Sequence, residues 1–296
     1  MVACDPSGRL TSEQVARFRK DGFLVLEGFA TPDEVRAMLT RANELVDGFD
    51  PATHPRSVFS TVDQKRTSDA YFLDSGNHVS FFFEERAFDR DGKLAQDKRL
   101  SINKMGHAMH DLDPTFRAFS RSEKMAALLA SLEVNKPVPV QSMYIFKNPV
   151  IGGEVVPHQD STFLHTRPAT CVGVWVALED CTKTNGCLWA LPESHAAGVR
   201  RRMTVRREPG ASPATGAIVF EGEYPDWLAE QGEQFVPIEC PAGTAVLLHG
   251  ENVHYSAPNT SDASRHAYSV HFVDGDAKWS ESNWLRRDEG FPFEPL

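Results

Sequence analysis

The sequence predicts a mainly β fold, a double-stranded β-helix (a cupin-like jelly roll) with flanking α-helices. Three observations lead to this prediction. Short strand-like apolar segments follow one another from Val138 onward, and long helical patterns are few. The spacing of three polar residues, His158, Asp160 and His254, also favours it.

The chain of 296 residues is expected to form one domain, 1–296, because no repeat or linker interrupts it. Helices and the first strands are expected in residues 1–135, and the jelly-roll core in 136–280. Residues 200–239 are rich in Gly, Pro, Ala and Glu and show little periodicity. A segment of this length inside a barrel domain is usually functional or disordered. We therefore predict a lid or rim there, with residues 226–228 as its apolar plug.

Two helix starts stand out in the N-terminal part. Thr11 and Gln14 have the spacing of a capping box, and Gly22 should stop the helix that follows. Thr31, followed by Pro32, begins a second helix. The apolar residues of the second helix recur at helical spacing and should pack on the outside of the sheet: Val35, Met38, Leu39, Ala42, Leu45 and Val46.

The rest of the N-terminal part is less regular. Residues 1–9 are expected to be a loose tail, and residues 50–78 are polar and predicted to be irregular. The aromatic run at 80–85 is typical of a core strand. Asp113 and Ser122 begin two further predicted helices.

The first candidate for chemistry is the triplet His158-Gln159-Asp160. On a strand, residues i and i+2 leave the same face, so His158 and Asp160 would point together while Gln159 pointed away. One imidazole and one carboxylate are two thirds of the 2-His-1-carboxylate triad that holds non-haem Fe(II). By itself the triplet is a weak signal, since a polar strand end has the same appearance.

A third ligand and an anion anchor follow about ninety residues later. An apolar run ends at His249, and His254 follows after a turn, so either histidine could be the third ligand. His254 and Ser256 share a face, and Arg265 lies across the next turn from them. An arginine can hold a carboxylate through two parallel hydrogen bonds, and an interior arginine without an anion is costly. Arg265 should therefore meet a ligand's carboxylate or a protein acid.

The combined pattern resembles the phytanoyl-CoA dioxygenase family of Fe(II)- and 2-oxoglutarate-dependent oxygenases. Its elements are His158-x-Asp160, then His254-x-Ser256-x-x-Asn259, and Arg265 eleven residues after the second histidine. The similarity extends over nearly the whole chain, from about residue 21 to residue 285. Further matching segments are 101–108, 140–147, 152–154, 185–189 and 192–195.

The resemblance implies the same jelly-roll fold and assigns three roles. His158, Asp160 and His254 would bind Fe(II), and His254 is preferred to His249 because of its spacing to Arg265. Arg265 would pair with the distal carboxylate of 2-oxoglutarate. Ser256 would be hydrogen-bonded beside it.

Three further residues are assigned to the 2-oxoglutarate site by the resemblance alone. Lys104 would help hold the cosubstrate, although a lone lysine before a glycine is also typical of a solvated loop. Met143 and Trp175 would lie beside the cosubstrate, although their patterns are equally typical of a core. His107 and His110 are expected at a helix start and not among the metal ligands.

The resemblance also implies the reaction. O2 would oxidise 2-oxoglutarate to succinate and CO2 while a C–H bond of a small organic substrate is hydroxylated, with ascorbate as a further candidate cofactor. Halogenating relatives have a small residue in place of Asp160, so its presence favours hydroxylation. Two alternatives stay open: a cupin-like metal enzyme that does not use 2-oxoglutarate and would not need Arg265, and a non-catalytic barrel that binds 2-oxoglutarate or another metabolite.

Composition restricts the partners. A net charge of −10 and a pI near 5.6 argue against a nucleic-acid partner. The basic clusters at 200–202 and 206–207 are typical of a solvated loop, or else of a docking patch for an acidic substrate. We expect a monomer without a membrane partner that acts on a small or medium organic molecule, with an anionic one as the candidate.

Cysteine usage and apolar runs bear on location. The five cysteines show no CxxC or zinc-like spacing, and their odd number fits free thiols in the cytoplasm. We see no signal-peptide core and no run of membrane-spanning length. Residues 293–296 do not match a peroxisomal tripeptide.

Overall fold

The computed structural model describes residues 1–58 and 69–296. Within these residues the helices are α1 (Ser12–Asp21), α2 (Pro32–Gly48), α3 (Asp69–Asp74), α4 (Lys98–Ser101), α5 (Met109–Leu112), α6 (Pro114–Ser120), α7 (Glu123–Ser131) and α8 (Trp227–Gln231). The strands are β1 (Val2–Ala3), β2 (Phe23–Glu27), β3 (Val79–Phe83), β4 (Ile102–His107), β5 (Pro137–Ile145), β6 (Val155–His158), β7 (Thr166–Arg167), β8 (Val172–Ala177), β9 (Leu188–Ala190), β10 (Arg201–Arg206), β11 (Ala217–Gly222), β12 (Val236–Ile238), β13 (Ala245–His249), β14 (His254–Ser256), β15 (Ala267–Asp274) and β16 (Lys278–Trp279).

Two sheets form the body of the fold. The large sheet has the strand order β1-β2-β13-β8-β15-β5-β4-β3, and the small sheet has the order β12-β9-β14-β6. Trp175, Val246 and Ala267 of the large sheet share one buried apolar cluster with Leu188 and Ile238 of the small sheet. The sheets therefore pack face to face, and the prediction of a jelly roll is confirmed.

Helices cover the other face of the large sheet. Leu26 and Val174 of this sheet belong to the same core cluster as Met38 of α2, Phe116 of α6 and Leu128 of α7. All five side chains are at least nine-tenths buried. The prediction that helices flank one side of the sheets is thus confirmed.

The first two helices begin as their sequences predict. In α1, the side chain of Thr11 accepts from the Gln14 amide at 3.2 Å, and Gln14 Oε1 accepts from the Thr11 amide at 2.8 Å. Gly22 ends α1 with φ +79°, a conformation that glycine adopts without strain. Thr31 caps α2 through a second capping box, with Pro32 at its first position.

Two expectations for the N-terminal part were wrong. Residues 1–9 are not a loose tail, because Val2–Ala3 pairs in parallel with β2 and the Cys4 amide donates to Glu27 O at 3.1 Å. Residues 50–78 are not irregular throughout, because they include α3 (Asp69–Asp74). Part of that expectation, residues 59–68, lies outside the described residues.

The segment 200–239 is also more regular than predicted. β10 and β11 form an antiparallel hairpin, and Met203 and Val205 of this hairpin pack in a cluster with Trp284. Trp227 is buried against a separate small cluster and not in the cavity described below, whereas Leu228 is 43% exposed. Hairpin pairing, which joins residues from 11 positions apart (Arg206 and Ala217) to 21 positions apart (Arg201 and Gly222), was not visible as local periodicity.

The arginines of this hairpin are engaged within the chain. Arg207 donates from Nη1 to Asn283 O at 2.9 Å and from Nη2 to Trp284 O at 2.6 Å. The Arg201 guanidinium lies 4.1 Å from the centre of the Phe220 ring. Arg207 therefore helps to attach the hairpin to the C-terminal segment, whereas Arg201 packs against a ring within the hairpin itself.

Two further findings concern the chain as a whole. No helix in residues 1–58 or 69–296 is long and apolar enough to cross a membrane. All five cysteines, each within these ranges, are free thiols.

Candidate active site

A cavity of about 340 Å³ lies between the two sheets. Its wall includes residues of β4 and β5, of β8 and β15, and of the small-sheet strands β6 and β14. All eight residues that the sequence singled out for the site contribute to this wall: Lys104, Met143, His158, Asp160, Trp175, His254, Ser256 and Arg265.

Three of these residues form a group of suitable size for a metal ion. One ligand atom each from His158, Asp160 and His254 lies within 4.8 Å of the others. Asp160 Oδ1 is 3.7 Å from His158 Nε2 and 3.8 Å from His254 Nε2. His158 and His254 are paired directly across β6 and β14, which fixes their separation. Among the described residues, no second group of this kind occurs.

Asp160 reaches this group from a turn and not from a strand. β6 ends at His158, and Asp160 begins a short 3₁₀ helix, Asp160–Thr162. The assumption of a continuous strand was therefore wrong, although the two side chains do converge. Gln159 points away as expected, and its amide donates to Gly198 O at 2.9 Å and Glu251 O at 2.7 Å. These bonds hold the turn that directs Asp160 inward.

Hydrogen bonds set the orientation of both imidazoles. His158 Nδ1 lies 2.9 Å from Val156 O, and His254 Nδ1 lies 3.1 Å from Asn252 O. A carbonyl oxygen only accepts, so each Nδ1 carries the proton and each Nε2 presents its lone pair to the centre of the group. This arrangement is the usual one for histidines that bind a metal through Nε2.

The protonation states agree with this arrangement. Burial, together with the neighbouring His254, lowers the pKa of His158 to about 4, so the imidazole is neutral. Burial opposes ionisation of Asp160, but the imidazoles of His271 and His254 hold the pKa of this carboxyl below its usual range. Two imidazole nitrogens and one carboxylate are a donor set that fits a divalent transition metal.

The alternative third ligand, His249, lies elsewhere. It ends β13, its ring centre is 5.0 Å from that of His195 and 6.3 Å from that of Phe18, and the group of three ligand atoms does not include it. Of the two candidate histidines, the fold thus brings only His254 to His158 and Asp160.

Arg265 is a buried cation without a carboxylate partner among residues 1–58 and 69–296. Its side chain is 1% exposed, Nε donates to Gly186 O at 3.0 Å, and Nη2 donates to Ser256 Oγ at 3.3 Å. The guanidinium carbon lies 5.2 Å from the centre of the Trp175 ring. Nη1 has no hydrogen-bond partner in the described part of the chain, and no carboxylate there forms an ion pair with it. The protein acid considered from sequence is therefore not present among these residues.

Lys104 and Met143 lie on neighbouring strands beside this pocket. Lys104 is 6% exposed on β4, and its Nζ is 4.0 Å from Met143 Sδ on β5. The alternative of a solvated loop lysine was thus wrong. Trp175 both packs in the core between the sheets and lines the cavity, so a core position does not exclude the predicted position beside a ligand.

Sequence reasoning overlooked one close neighbour of the ligand group. His271 Nε2 lies 3.2 Å from Asp160 Oδ2. Its position on the same face of β15 as Ser269 was a signal that could have identified it, since that face points into the fold. His107, expected at a helix start, instead ends β4 and lines the cavity, while His110 in α5 contacts Ser142 Oγ at 2.9 Å. Neither belongs to the ligand group.

Solved structures share the fold. The chain superimposes with a TM-score of 0.64 on the crystal structure of EctD from S. alaskensis with 2-oxoglutarate and 5-hydroxyectoine, at 18% identity, covering 99% of this chain and 90% of that one. The carbocyclase SnoK from nogalamycin biosynthesis, described as non-haem and alpha-ketoglutarate dependent, gives a TM-score of 0.63 at 18% identity, with 99% and 96% covered.

Similarity to characterised sequences is much higher. Phytanoyl-CoA dioxygenase 1 of Oryza sativa subsp. japonica is 49% identical over 292 residues, 98% of each chain. Phytanoyl-CoA dioxygenase domain-containing protein 1 of Danio rerio is 46% identical over 293 residues, 97% of this chain and 98% of the relative. The phytanoyl-CoA dioxygenase (PhyH) family model matches residues 18–267. The chain therefore belongs to the phytanoyl-CoA dioxygenase family of non-haem iron, 2-oxoglutarate-dependent enzymes.

Proposed function

We propose that this protein is a dioxygenase that hydroxylates a small organic substrate and converts 2-oxoglutarate to succinate and CO2. Family membership supports the reaction class. The arrangement of the cavity supports the roles of individual residues, which are derived below. When bound, Fe(II) with 2-oxoglutarate and O2 supplies the oxidant for a C–H bond.

His158, Asp160 and His254 are proposed to hold the iron. Their ligand atoms lie within 4.8 Å of one another, and both Nε2 atoms are left free by the bonds at Nδ1. Three protein ligands on one side leave the remaining positions of an octahedral ion for the cosubstrate and O2. The wall of the surrounding cavity would limit the access of bulk water to the oxidising centre.

The observation that carries the proposal is the unpaired guanidinium of Arg265. Burying a cation without an anion costs several kcal/mol, so the fold retains Arg265 at a net expense unless a ligand pairs with it. The free Nη1 and the bonded Nη2 present two parallel donors, which match a carboxylate. Since the cavity contains both Arg265 and the ligand group, one dicarboxylic molecule could reach from the metal to the guanidinium.

Neighbouring residues would complete the cosubstrate site. Ser256 Oγ accepts from Arg265 and donates to Gly186 O at 2.8 Å, which fixes the guanidinium in place. Lys104 would add a second positive charge, and Met143 and Trp175 would supply apolar walls. These roles follow from their common cavity.

The size of the cavity favours a small substrate. About 340 Å³ lies near the lower end of the range of about 300–1,000 Å³ that is usual for ligand pockets. The cavity wall also includes one acidic and one basic side chain, Glu84 and Lys147, both buried. They favour neither an anionic nor a neutral substrate. The five free thiols support a reducing compartment such as the cytoplasm.

Succinate release with Fe(II), 2-oxoglutarate and ascorbate tests this proposal, with a metabolite extract as the source of substrate. We expect substrate-stimulated consumption of 2-oxoglutarate by the wild type, and a loss of at least about 30-fold in kcat/KM for 2-oxoglutarate in Arg265→Ala. Turnover that is unaffected by Arg265→Ala would favour a cupin-like enzyme without 2-oxoglutarate. Tight 2-oxoglutarate binding without any turnover would favour a non-catalytic sensor.

A further inference from the structure

The two oxygens of Asp160 face different partners. Oδ1 is directed to the ligand group, 3.7 Å from His158 Nε2 and 3.8 Å from His254 Nε2. Oδ2 is directed away from it, to His271 Nε2 at 3.2 Å. One oxygen thus faces the two histidines of the ligand group, and the other contacts a residue of the large sheet.

The large sheet places His271 at this position through its register. His271 on β15 is paired with Gly173 on β8 and Gln141 on β5, so it sits in the middle of the sheet. Its side chain is 3% exposed and lines the cavity. The imidazole therefore approaches Asp160 on a rigid element and not on a loop.

Gly173 makes room for this contact. A Cβ atom at this position would lie 3.0 Å from Asp160 Oδ2 and 3.4 Å from His271 Cδ2. The first of these distances is tighter than most real Cβ contacts, so a side chain at residue 173 would push the carboxylate or the imidazole aside by a few tenths of an ångström. Glycine is thus favoured here by the close approach of Asp160 and His271.

The polar contact with Asp160 is the reason for a histidine at this position. Among residues 1–58 and 69–296, neither His271 Nδ1 nor Asp160 Oδ2 forms a hydrogen bond, and His271 Nε2 lies within ion-pair distance of Oδ2 at 3.2 Å. Burying a polar ring with one free nitrogen costs about 1–3 kcal/mol relative to an apolar ring of the same shape. If only packing mattered, phenylalanine or leucine would be more stable at this position, because neither buries an unpaired polar nitrogen.

We propose that His271 is a positioning residue that holds Asp160 Oδ2, so that the carboxylate binds iron through Oδ1 alone. A carboxylate that bound through both oxygens would occupy one of the positions needed for 2-oxoglutarate and O2. His271 would donate from Nε2 to Oδ2 and hold the carboxylate in the required rotation. The inference rests on the proposed function, because it concerns the same iron site.

Metal binding without turnover tests this role. Co(II) is titrated into the metal-free protein, and anaerobic Fe(II) with 2-oxoglutarate is followed through the visible absorption of the chelate. Loss of an outer partner of a metal ligand typically weakens metal binding about 10–100-fold. We expect that weakening in His271→Leu, and in Gly173→Ala through displacement of the same pair. The chelate absorption should fall in both variants at equal metal occupancy.

Two conservative variants separate positioning from packing. Glutamine can place an amide N–H where Nε2 of His271 lies, whereas asparagine reaches only the place of Nδ1. His271→Gln should therefore retain most of the Co(II) affinity, and His271→Asn should lose it. His266→Gln is the matched control, because His266 precedes the same strand and its Nδ1 contacts Tyr144 at 2.8 Å, outside the ligand group. This control should bind Co(II) like the wild type.

The outcomes distinguish the inference from the proposed function. Absence of Co(II) and Fe(II) binding in the wild type overturns the proposed function itself. If the wild type binds metal and His271→Leu binds equally well, or if the glutamine and asparagine variants have equal affinity, His271 does not position Asp160. Should His271→Leu fail to fold, the comparison between glutamine and asparagine decides the question.

Discussion

Replacement of Arg265 by methionine should separate folding stability from cosubstrate binding. The guanidinium is 1% exposed and has no carboxylate partner in the described chain. Methionine has a similar length, no charge and no polar hydrogen. We therefore expect Arg265→Met to leave the free energy of unfolding of the ligand-free protein within about 2 kcal/mol of the wild type, or to raise it.

The magnitude follows from the contacts that are lost and kept. Two hydrogen bonds from a charged donor, to Gly186 O at 3.0 Å and to Ser256 Oγ at 3.3 Å, contribute about 1.5–3 kcal/mol each. The several kcal/mol needed to bury the unpaired cation are recovered at the same time. Gly186 O keeps a partner, because Ser256 Oγ donates to it at 2.8 Å. No acceptor is therefore orphaned by the substitution.

Cosubstrate binding should respond in the opposite way. Truncating one partner of a buried charge pair costs about 2–5 kcal/mol, so the Kd for 2-oxoglutarate should rise by about 30-fold to several thousand-fold. Arg265→Lys keeps the charge without the two parallel donors and should lie between the wild type and Arg265→Met.

Urea unfolding with and without saturating 2-oxoglutarate, in the presence of a redox-inert divalent metal, measures both quantities. The wild type should be stabilised by 2-oxoglutarate, and Arg265→Met should lose this stabilisation. The reasoning is refuted if the ligand-free variant is destabilised by more than about 4 kcal/mol at an unchanged m-value. It is also refuted if the affinity for 2-oxoglutarate is unchanged.

Three further predictions concern stability. Burial lowers the pKa of His249 to about 4, below an unfolded value near 6.5. The contribution of the neutral imidazole to the free energy of unfolding is therefore present above pH 6.5 and lost as the pH falls towards 4. His249→Gln should reduce the loss of this free energy between pH 7 and pH 5, measured by urea unfolding, by about 1–2 kcal/mol. Asp111→Asn removes the anion that lies 3.1 Å from the buried Arg287 guanidinium and should lower the free energy of unfolding, measured in urea, by about 3–5 kcal/mol. Glu133→Gln, which removes the anion of the exposed pair with Arg19, should lower it by less than about 1 kcal/mol. Leu247→Ala in the fully buried centre of β13 should cost about 2–5 kcal/mol, measured the same way, and a smaller loss would show that the core can close around the deletion.

Features that depend on a few neighbouring residues could be predicted from the sequence. Examples are the capping boxes at Thr11 and Thr31 and the end of α1 at Gly22. Their hydrogen bonds join residues only three or four positions apart in the sequence. The alternation around Ser269 likewise follows from the pleat of a strand. The identity of the three candidate metal ligands came from residue types and spacing, with the resemblance deciding between two histidines.

Tertiary structure decided what spacing could not. Asp160 lies on a 3₁₀ turn that is held by Gln159, and its contact with His271 exists because β15 and β8 bring Gly173 opposite the imidazole. That no carboxylate of the described strands and helices pairs with Arg265 could likewise be seen only when the neighbours from every strand were in place. Local sequence determines the direction of a side chain along its own element, but distances between elements depend on how the two sheets close over each other.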